Sequence, residues 1–501
     1  MRSLRSWLVP LLLLGLFLAF RLVLVDADPP SHYPYGRFAQ ELIVEGPAKA
    51  SEARRFGLFG TFATKEADAY HIWSIQSPVY VYPLAAFFRT FGTGWVPLRF
   101  FCALAAGIGL LFFFRLGRTH RDPWVAPAAC VLVALSFFDA QLTRSGLLEP
   151  YLNAVLSLTF LAGLLALRSL PWMLLCQAGF AAALLTKQTA LFAFPPLVVL
   201  GVFAHLRARA RGEPAWQHAA SLGLAVVLGG GLAAYVFSPA YWQTVMWNFG
   251  HMIAGVERHQ EVSASAIRLG TIVERLLDGQ RWMEGALYIV PLLPLALAAI
   301  VRLAVQLVRR RPVEPVELVA AGWLLFALAS LQLTGHVRPR FSIVLLPPAA
   351  ILVACFLVWL ARLPRHAWLR PAPFAVALLV VVATDLRWHG SWWSEPSYQI
   401  RDGGRELRAQ LDRDAVLVGA WAPPLGFDTE ADIFYVRNDV NRTKEAIEGL
   451  GITHMLLRDR DRSGRYVRRA QPVAWRKKEK KLSFPVLGKR YTLWELPREE
   501  R

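Results

Sequence analysis

Asp26 and Asp28 stand one residue apart, directly after an apolar run that begins near Trp7. Arg144 and Glu149 lie in a short polar connection between two further apolar runs, and Lys187 sits in a Thr-Lys-Gln turn between two more. His336, Arg338 and Arg340 form a fourth group, just ahead of a run that contains Pro347 and Pro348. Carboxylates beside fixed cations suit one kind of chemistry. The cations hold a phosphate, and a carboxylate takes a proton from a nucleophile.

Each of these residues also has a plainer role. Asp26 and Asp28 suit the end of a helix or the cap of the next segment. Glu149 before Pro150 is a common helix start, stabilised by the helix dipole. Lys187 can snorkel to a membrane interface, and Arg338 and Arg340 can anchor a helix end. His32 and His71 read as satisfied loop histidines. An isolated Asp-x-Asp lacks the further ligands of a defined cation site, so the sequence leaves a divalent metal open and assigns no cofactor. Asn441-Arg442-Thr443 has the form of a glycosylation sequon, a weak signal by itself.

The elements that carry these groups decide between the readings. Uncharged apolar runs of roughly 16–22 residues recur up to about residue 386, each long enough to cross a hydrocarbon core of about 30 Å. The expected spans are 7–25, 96–115, 124–140, 150–167, 171–186, 189–205, 217–237, 285–307, 316–333, 341–360 and 370–385. The first follows a short basic start, but it is long for a signal peptide and lacks a small-residue cleavage site, so it reads as a retained helix. The connections at 115–123, 206–216, 308–315 and 361–369 hold the Arg clusters, including Arg207, Arg209 and Arg211 and Arg309, Arg310 and Arg311. That asymmetry predicts a cytoplasmic N-terminus in a cell (inner) membrane. It places all four groups of candidate residues on the outer face.

Two outer segments, 26–95 and 238–284, are long. Within the first, Ser77 to Phe91 is apolar and aromatic and is expected to lie along the membrane or re-enter it. The membrane domain therefore covers 1–386, and 387–501 forms a soluble extracytoplasmic domain. In that domain Ser397–Leu411 and Arg442–Leu450 read as helices, and Ala415–Val418, Ile452–Leu457 and Arg490–Glu495 as strands. The fold class expected is an all-α polytopic membrane protein of about eleven helices with a small C-terminal α/β domain.

The chain has 501 residues, 55% hydrophobic, with a formal net charge of +19. Because the Arg residues sit largely between apolar runs, the charge fits membrane topology rather than nucleic-acid binding. Cys102, Cys130, Cys176 and Cys355 all fall within expected spans and form no CxxC pair, so they read as packing residues.

The order of these strings resembles the GT-C glycosyltransferases, in particular bacterial members of the protein-mannosyltransferase group (family 39). The resemblance rests on Val25-Asp26-Ala27-Asp28, Tyr35-Gly36-Arg37-Phe38-Ala39, Gln76-Ser77-Pro78-Val79-Tyr80 through Phe91-Gly92, Arg144 to Glu149-Pro150, Leu185-Thr186-Lys187-Gln188, and Arg340-Phe341 to Pro347-Pro348. It departs from the family where Ser31-His32 replaces a usual Asp-Glu pair, and where Glu149 replaces a more usual Asp. The resemblance implies a GT-C-like hexosyl- or pentosyltransferase. Such an enzyme moves a sugar from a polyprenyl-phosphate donor to a hydroxyl of a protein, lipid or glycan acceptor on the outer face, with inversion. By the same resemblance Asp26 or Asp28 is the general base, and Glu149 supports the acceptor or the charge of the site. Lys187, Arg338, Arg340 and Arg144 bind the donor phosphate, while Tyr35, Arg37, Gln76 and His336 belong to the acceptor or donor loops.

Two other functions use similar materials. A flippase or transporter of lipid-linked sugars needs the same cations, but transporters place their sites near the midplane and often show repeated halves. A membrane-anchored binding protein has no need of ionisable residues in short outer turns. Here the candidate charges cluster at one face, the two long loops lie outside it, and no repeat is visible.

Overall fold

The computed structural model describes residues 2–30, 37–55, 77–236, 238, 292–333, 339–363, 371–436, 444–458 and 463–497. Tyr35, Gln76, His336, Arg338, the sequon and nearly all of the 238–284 segment lie outside these residues. Arg37 opens a described helix, but its side chain also lies outside them.

In chain order the helices are α1 (Arg2–Leu22), α2 (Arg37–Arg55), α3 (Pro78–Phe91), α4 (Trp95–Gly117), α5 (Val125–Leu135), α6 (Phe137–Arg144), α7 (Glu149–Ala166) and α8 (Trp172–Thr186). A 3-10 turn, Gln188–Ala193, leads into α9 (Phe194–Ala210), followed by α10 (Ala215–Val236), α11 (Leu292–Val308) and α12 (Pro315–Leu333). A second 3-10 segment, Pro339–Leu345, leads into α13 (Leu346–Ala361), and α14 (Pro371–Ser394) completes the apolar series. Over its described residues every expected span overlaps helix, and the one at 124–140 is divided between α5 and α6. Among the described residues five helices are long and apolar enough to cross a membrane, or six if the α5–α6 pair counts as one, and four more apolar helices are shorter. The expected boundary at 387 falls inside α14, which runs on to Ser394. Ser77 to Phe91, expected to lie at or in the membrane surface, is the short helix α3, with Pro83 inside it.

The chain divides into two compact units. The first takes residues 1–21, 103–142 and 148–389 and contains most of the apolar helices. Its packing relies on small residues that let backbones approach. A Cβ on Gly109 of α4 would lie 2.5 Å from the Cβ of Ala154 on α7, and one on Gly179 would lie 2.6 Å from Thr159 Oγ1. The span expected over 124–140 is broken at Ser136, where α5 and α6 meet at a 55° bend. A bend frees backbone groups that an apolar medium cannot solvate, and here side chains satisfy them. Arg21 donates to Ala134 O at 2.8 Å and Val133 O at 3.2 Å, while Asp385 accepts from Phe137 N at 2.9 Å.

The second unit takes residues 22–102, 143–147 and 390–501. It adds α15 (Gln399–Arg408), β1 (Val416–Gly419), α16 (Ala422–Gly426), β2 (Asp432–Tyr435), α17 (Lys444–Gly449), β3 (His454–Arg458), α18 (Ser463–Ala470), α19 (Pro472–Arg476), β4 (Glu479–Val486) and β5 (Lys489–Glu495). The sheet order is β2-β1-β3-β5-β4. β1 runs parallel to β2 and β3, whereas β5 is antiparallel to β3 and β4. Val418, Ile447, Met455, Val467 and Leu496 form one side of its core. The elements expected near Ser397–Leu411, Ala415–Val418, Arg442–Leu450, Ile452–Leu457 and Arg490–Glu495 are present, and β2 and β4 are additional. β4 begins Glu-Lys-Lys and contains Pro485. Charge and proline are how an edge strand resists further pairing, and they hide its strand character.

Candidate active site

In the first unit, three of the expected residues come together. Glu149 is the first residue of α7, with Pro150 behind it, and is 1% exposed. Lys187 caps α8 in an extended conformation (φ −163°, ψ 139°), which stops the helix before the 3-10 turn begins. Its Nζ donates to Glu149 Oε1. Arg340, in the Pro339–Leu345 segment, brings Nε to 3.5 Å from the same oxygen. Phe341 backs both cations: its ring centre lies 4.7 Å from Lys187 Nζ and 5.4 Å from the Arg340 guanidinium carbon. Aromatic faces attract cations, more strongly where water is excluded.

Glu149 stands between two cations, Lys187 and Arg340. Cations fixed by a carboxylate in a poorly solvated place suit the binding of an anion. Phe341 belongs to it although its residue type carries no chemistry. The signal available in the sequence was its adjacency to Arg340.

In the second unit the two aspartates differ sharply. Asp28 is buried, 2% exposed. It accepts from Ser397 Oγ at 2.8 Å, Ile400 N at 2.9 Å and Arg401 N at 3.3 Å. Those amides belong to the first turn of α15, so Asp28 acts as a cap supplied from a distant part of the chain. Asp26 is 51% exposed at its side chain and pairs with Arg401 Nη1 at 2.9 Å. Its oxygens face solvent to a degree that those of Asp28 do not. Arg401 was not singled out by the sequence, since an Arg in a soluble helix carries no distinguishing pattern.

Arg144 belongs to the same unit. Its guanidinium donates to Val23 O and to Leu24 O, the latter at 3.4 Å, and lies 3.9 Å from the Trp392 ring centre. Arg99 holds the adjacent backbone, donating to Ala27 O at 2.7 Å, Arg144 O at 3.0 Å and Val25 O. Arg144 and Arg99 thus secure the backbone around Asp26 and Asp28.

His120, Glu317 and Cys355 are the one group of metal-ligand types found close together among the described residues, with ligand atoms within 4.8 Å of one another. His120 Nδ1 accepts from Asp122 N at 2.9 Å, so Nε2 carries the ring proton and donates to Glu317 Oε1 at 3.1 Å. Arg302 occupies the other Glu317 oxygen. This is a hydrogen-bonded ion-pair network, and its proton count opposes a metal on Nε2.

A largely helical chain with a small C-terminal sheet, alike in structure over nearly its whole length to known membrane enzymes, defines a class: the chain has the GT-C fold of membrane glycosyltransferases. Residues 75–230 match the sequence pattern of the family described as dolichyl-phosphate-mannose-protein mannosyltransferase. In structure the chain is similar to ArnT from Cupriavidus metallidurans bound to undecaprenyl phosphate, with a TM-score of 0.56 and 13% identity, over 97% of this chain and 98% of that one. It is also similar to the oligosaccharyltransferase AglB from Archaeoglobus fulgidus in complex with an inhibitory peptide and a dolichol-phosphate. There the TM-score is 0.52 and the identity 12%, over 98% of this chain and 74% of that one. No curated protein matches the sequence significantly.

Proposed function

We propose that the protein is a membrane glycosyltransferase that moves a sugar from a polyprenyl-phosphate donor to a hydroxyl acceptor on the outer face, with inversion. The observation that supports this most directly is the buried Glu149–Lys187–Arg340 cluster within a GT-C fold. Lys187 and Arg340 hold the donor phosphate. When the bond between the anomeric carbon and the phosphate oxygen breaks, the leaving phosphate gains negative charge, which fixed cations in a poorly solvated site stabilise. The acceptor oxygen forms the new bond, and its proton passes to a carboxylate. Asp26 is the assigned base, because the oxygens of Asp28 are committed to the turn of α15. The Arg-rich connections support a cytoplasmic N-terminus and an extracytoplasmic C-terminal domain in the cell membrane.

The test is transfer from a radiolabelled polyprenyl-phosphate sugar by the purified protein in detergent. Labelled acceptor supports the reading. Carrier movement across liposomes without transfer from any donor assigns the protein instead to the flippases.

A further inference from the structure

We infer that Asn153 is a positioning residue for the Glu149–Lys187–Arg340 cluster, its amide joining the helix that carries Glu149 to the segment that carries Arg340. The inference rests on the donor-phosphate reading of that cluster. Asn153 follows Glu149 by one helical turn, so the two side chains share a face of α7. Its Nδ2 donates to Ile343 O at 3.2 Å. Ile343 stands three residues after Arg340 in the Pro339–Leu345 3-10 segment. At three residues per turn, positions i and i+3 eclipse, so a hold on Ile343 fixes the direction in which Arg340 leaves the backbone.

The other end of the amide explains why an amide is there at all. Asn153 is 8% exposed, and its Oδ1 has no hydrogen-bond partner among the described residues. The residue lines a cavity of about 30 Å³ together with Asp139, Ser157, Leu346 and Pro347. At about 10–15 Å³ per molecule the space admits water, which would give Oδ1 a donor. A polar side chain inside an apolar helix is costly unless both ends are bonded. Asn153 bonds the Arg340 segment on one side and borders the cavity on the other. Ser157 lines the same cavity, but its Oγ donates to Asn153 O at 2.8 Å on its own helix. It is the natural control.

The experiment compares Asn153→Ala, Asn153→Asp and Ser157→Ala with the wild type, each as the full chain in detergent. Amide hydrogen exchange is measured over 339–345 and over 194–210, and affinity is measured for undecaprenyl phosphate. Losing one net hydrogen bond corresponds to about a two- to tenfold change in an equilibrium. Both Asn153 variants should therefore speed exchange over 339–345 and weaken the lipid phosphate by about that factor. Exchange over 194–210, and both readouts in Ser157→Ala, should stay at wild-type values. Unchanged exchange in a folded Asn153→Ala protein overturns the inference, as does faster exchange with unchanged affinity. A wild type that binds no undecaprenyl phosphate overturns the donor reading of the cluster, while the exchange data still decide whether Asn153 holds the segment.

Discussion

Arg21 and Asp139 form a buried ion pair across the break at Ser136, with Arg21 Nε 3.1 Å from Asp139 Oδ2 and the guanidinium also bonded to the freed carbonyls of Val133 and Ala134. One side chain thus serves as counter-ion to α6 and as C-terminal cap to α5. Phe17, one turn earlier on α1, stacks under the same guanidinium at 3.5 Å.

Arg21→Met should destabilise the protein by about 3–5 kcal/mol, because it takes the guanidinium from a buried carboxylate and two carbonyls. Adding Asp139→Asn should recover part of the loss by removing the buried charge that Arg21 had faced. Thermal unfolding followed with a thiol-reactive dye reads this directly, since all four cysteines are buried and free. A single variant as stable as the wild type rules out the capping role.

The two aspartates should respond in opposite ways. Asp28→Asn weakens a cap on α15 and should cost about 0.5–2 kcal/mol, seen as earlier proteolysis of the C-terminal domain. Asp26→Asn removes only a half-exposed pair with Arg401, worth about 0–1 kcal/mol, so stability should barely move. Turnover should instead fall by about 10²–10⁴ if Asp26 is the base. Full activity in Asp26→Asn would place the base elsewhere.

That contrast also marks what was legible in the sequence. Helix positions could be read because each apolar run is long and uninterrupted, and Glu149, Lys187 and Arg340 stood out as charges at the ends of such runs. The roles of Asp26 and Asp28 could not be separated, since the separation depends on Ser397, Ile400 and Arg401, more than 300 residues away. The break at Ser136 was equally hidden. Its flanking sequence is apolar enough for one continuous span, and the compensating donor comes from Arg21, which reads as the polar end of the first helix. β2 and β4 escaped because short or charged edge strands lack the alternation that identifies a strand.

Close helix contacts give a second stability test. Gly109→Ala would place a methyl group 2.5 Å from Ala154 Cβ, against backbone that cannot easily yield. Overpacking of this kind costs about 1–3 kcal/mol. Gly229→Ala is the matched control, since no described residue lies within 4 Å of the added atom and it too is helical. There the loss of chain entropy favours alanine, by about 0.4–1 kcal/mol. If both variants shift the melting temperature alike, the α4–α7 crossing is looser than its geometry implies.

The Glu149–Lys187 pair separates an anion site from a structural staple. Lys187→Met takes one of its cations from Glu149, and it removes a cation that the donor phosphate needs. Its affinity for undecaprenyl phosphate should fall about tenfold or more, the equivalent of about 1.4 kcal/mol. Glu149→Gln does the reverse. The carboxylate competes with a phosphate for the same two cations, so removing its charge should tighten binding of the lipid phosphate while leaving Lys187 and Arg340 less well ordered for the reaction. Turnover should then fall, through both slower chemistry and slower release of the leaving phosphate. A staple predicts another pattern: both variants lose stability by similar amounts, and affinity falls in both or in neither. Binding and thermal stability measured on the same two proteins therefore decide the matter, and weaker binding in Glu149→Gln would remove the basis for placing the donor phosphate between Lys187 and Arg340.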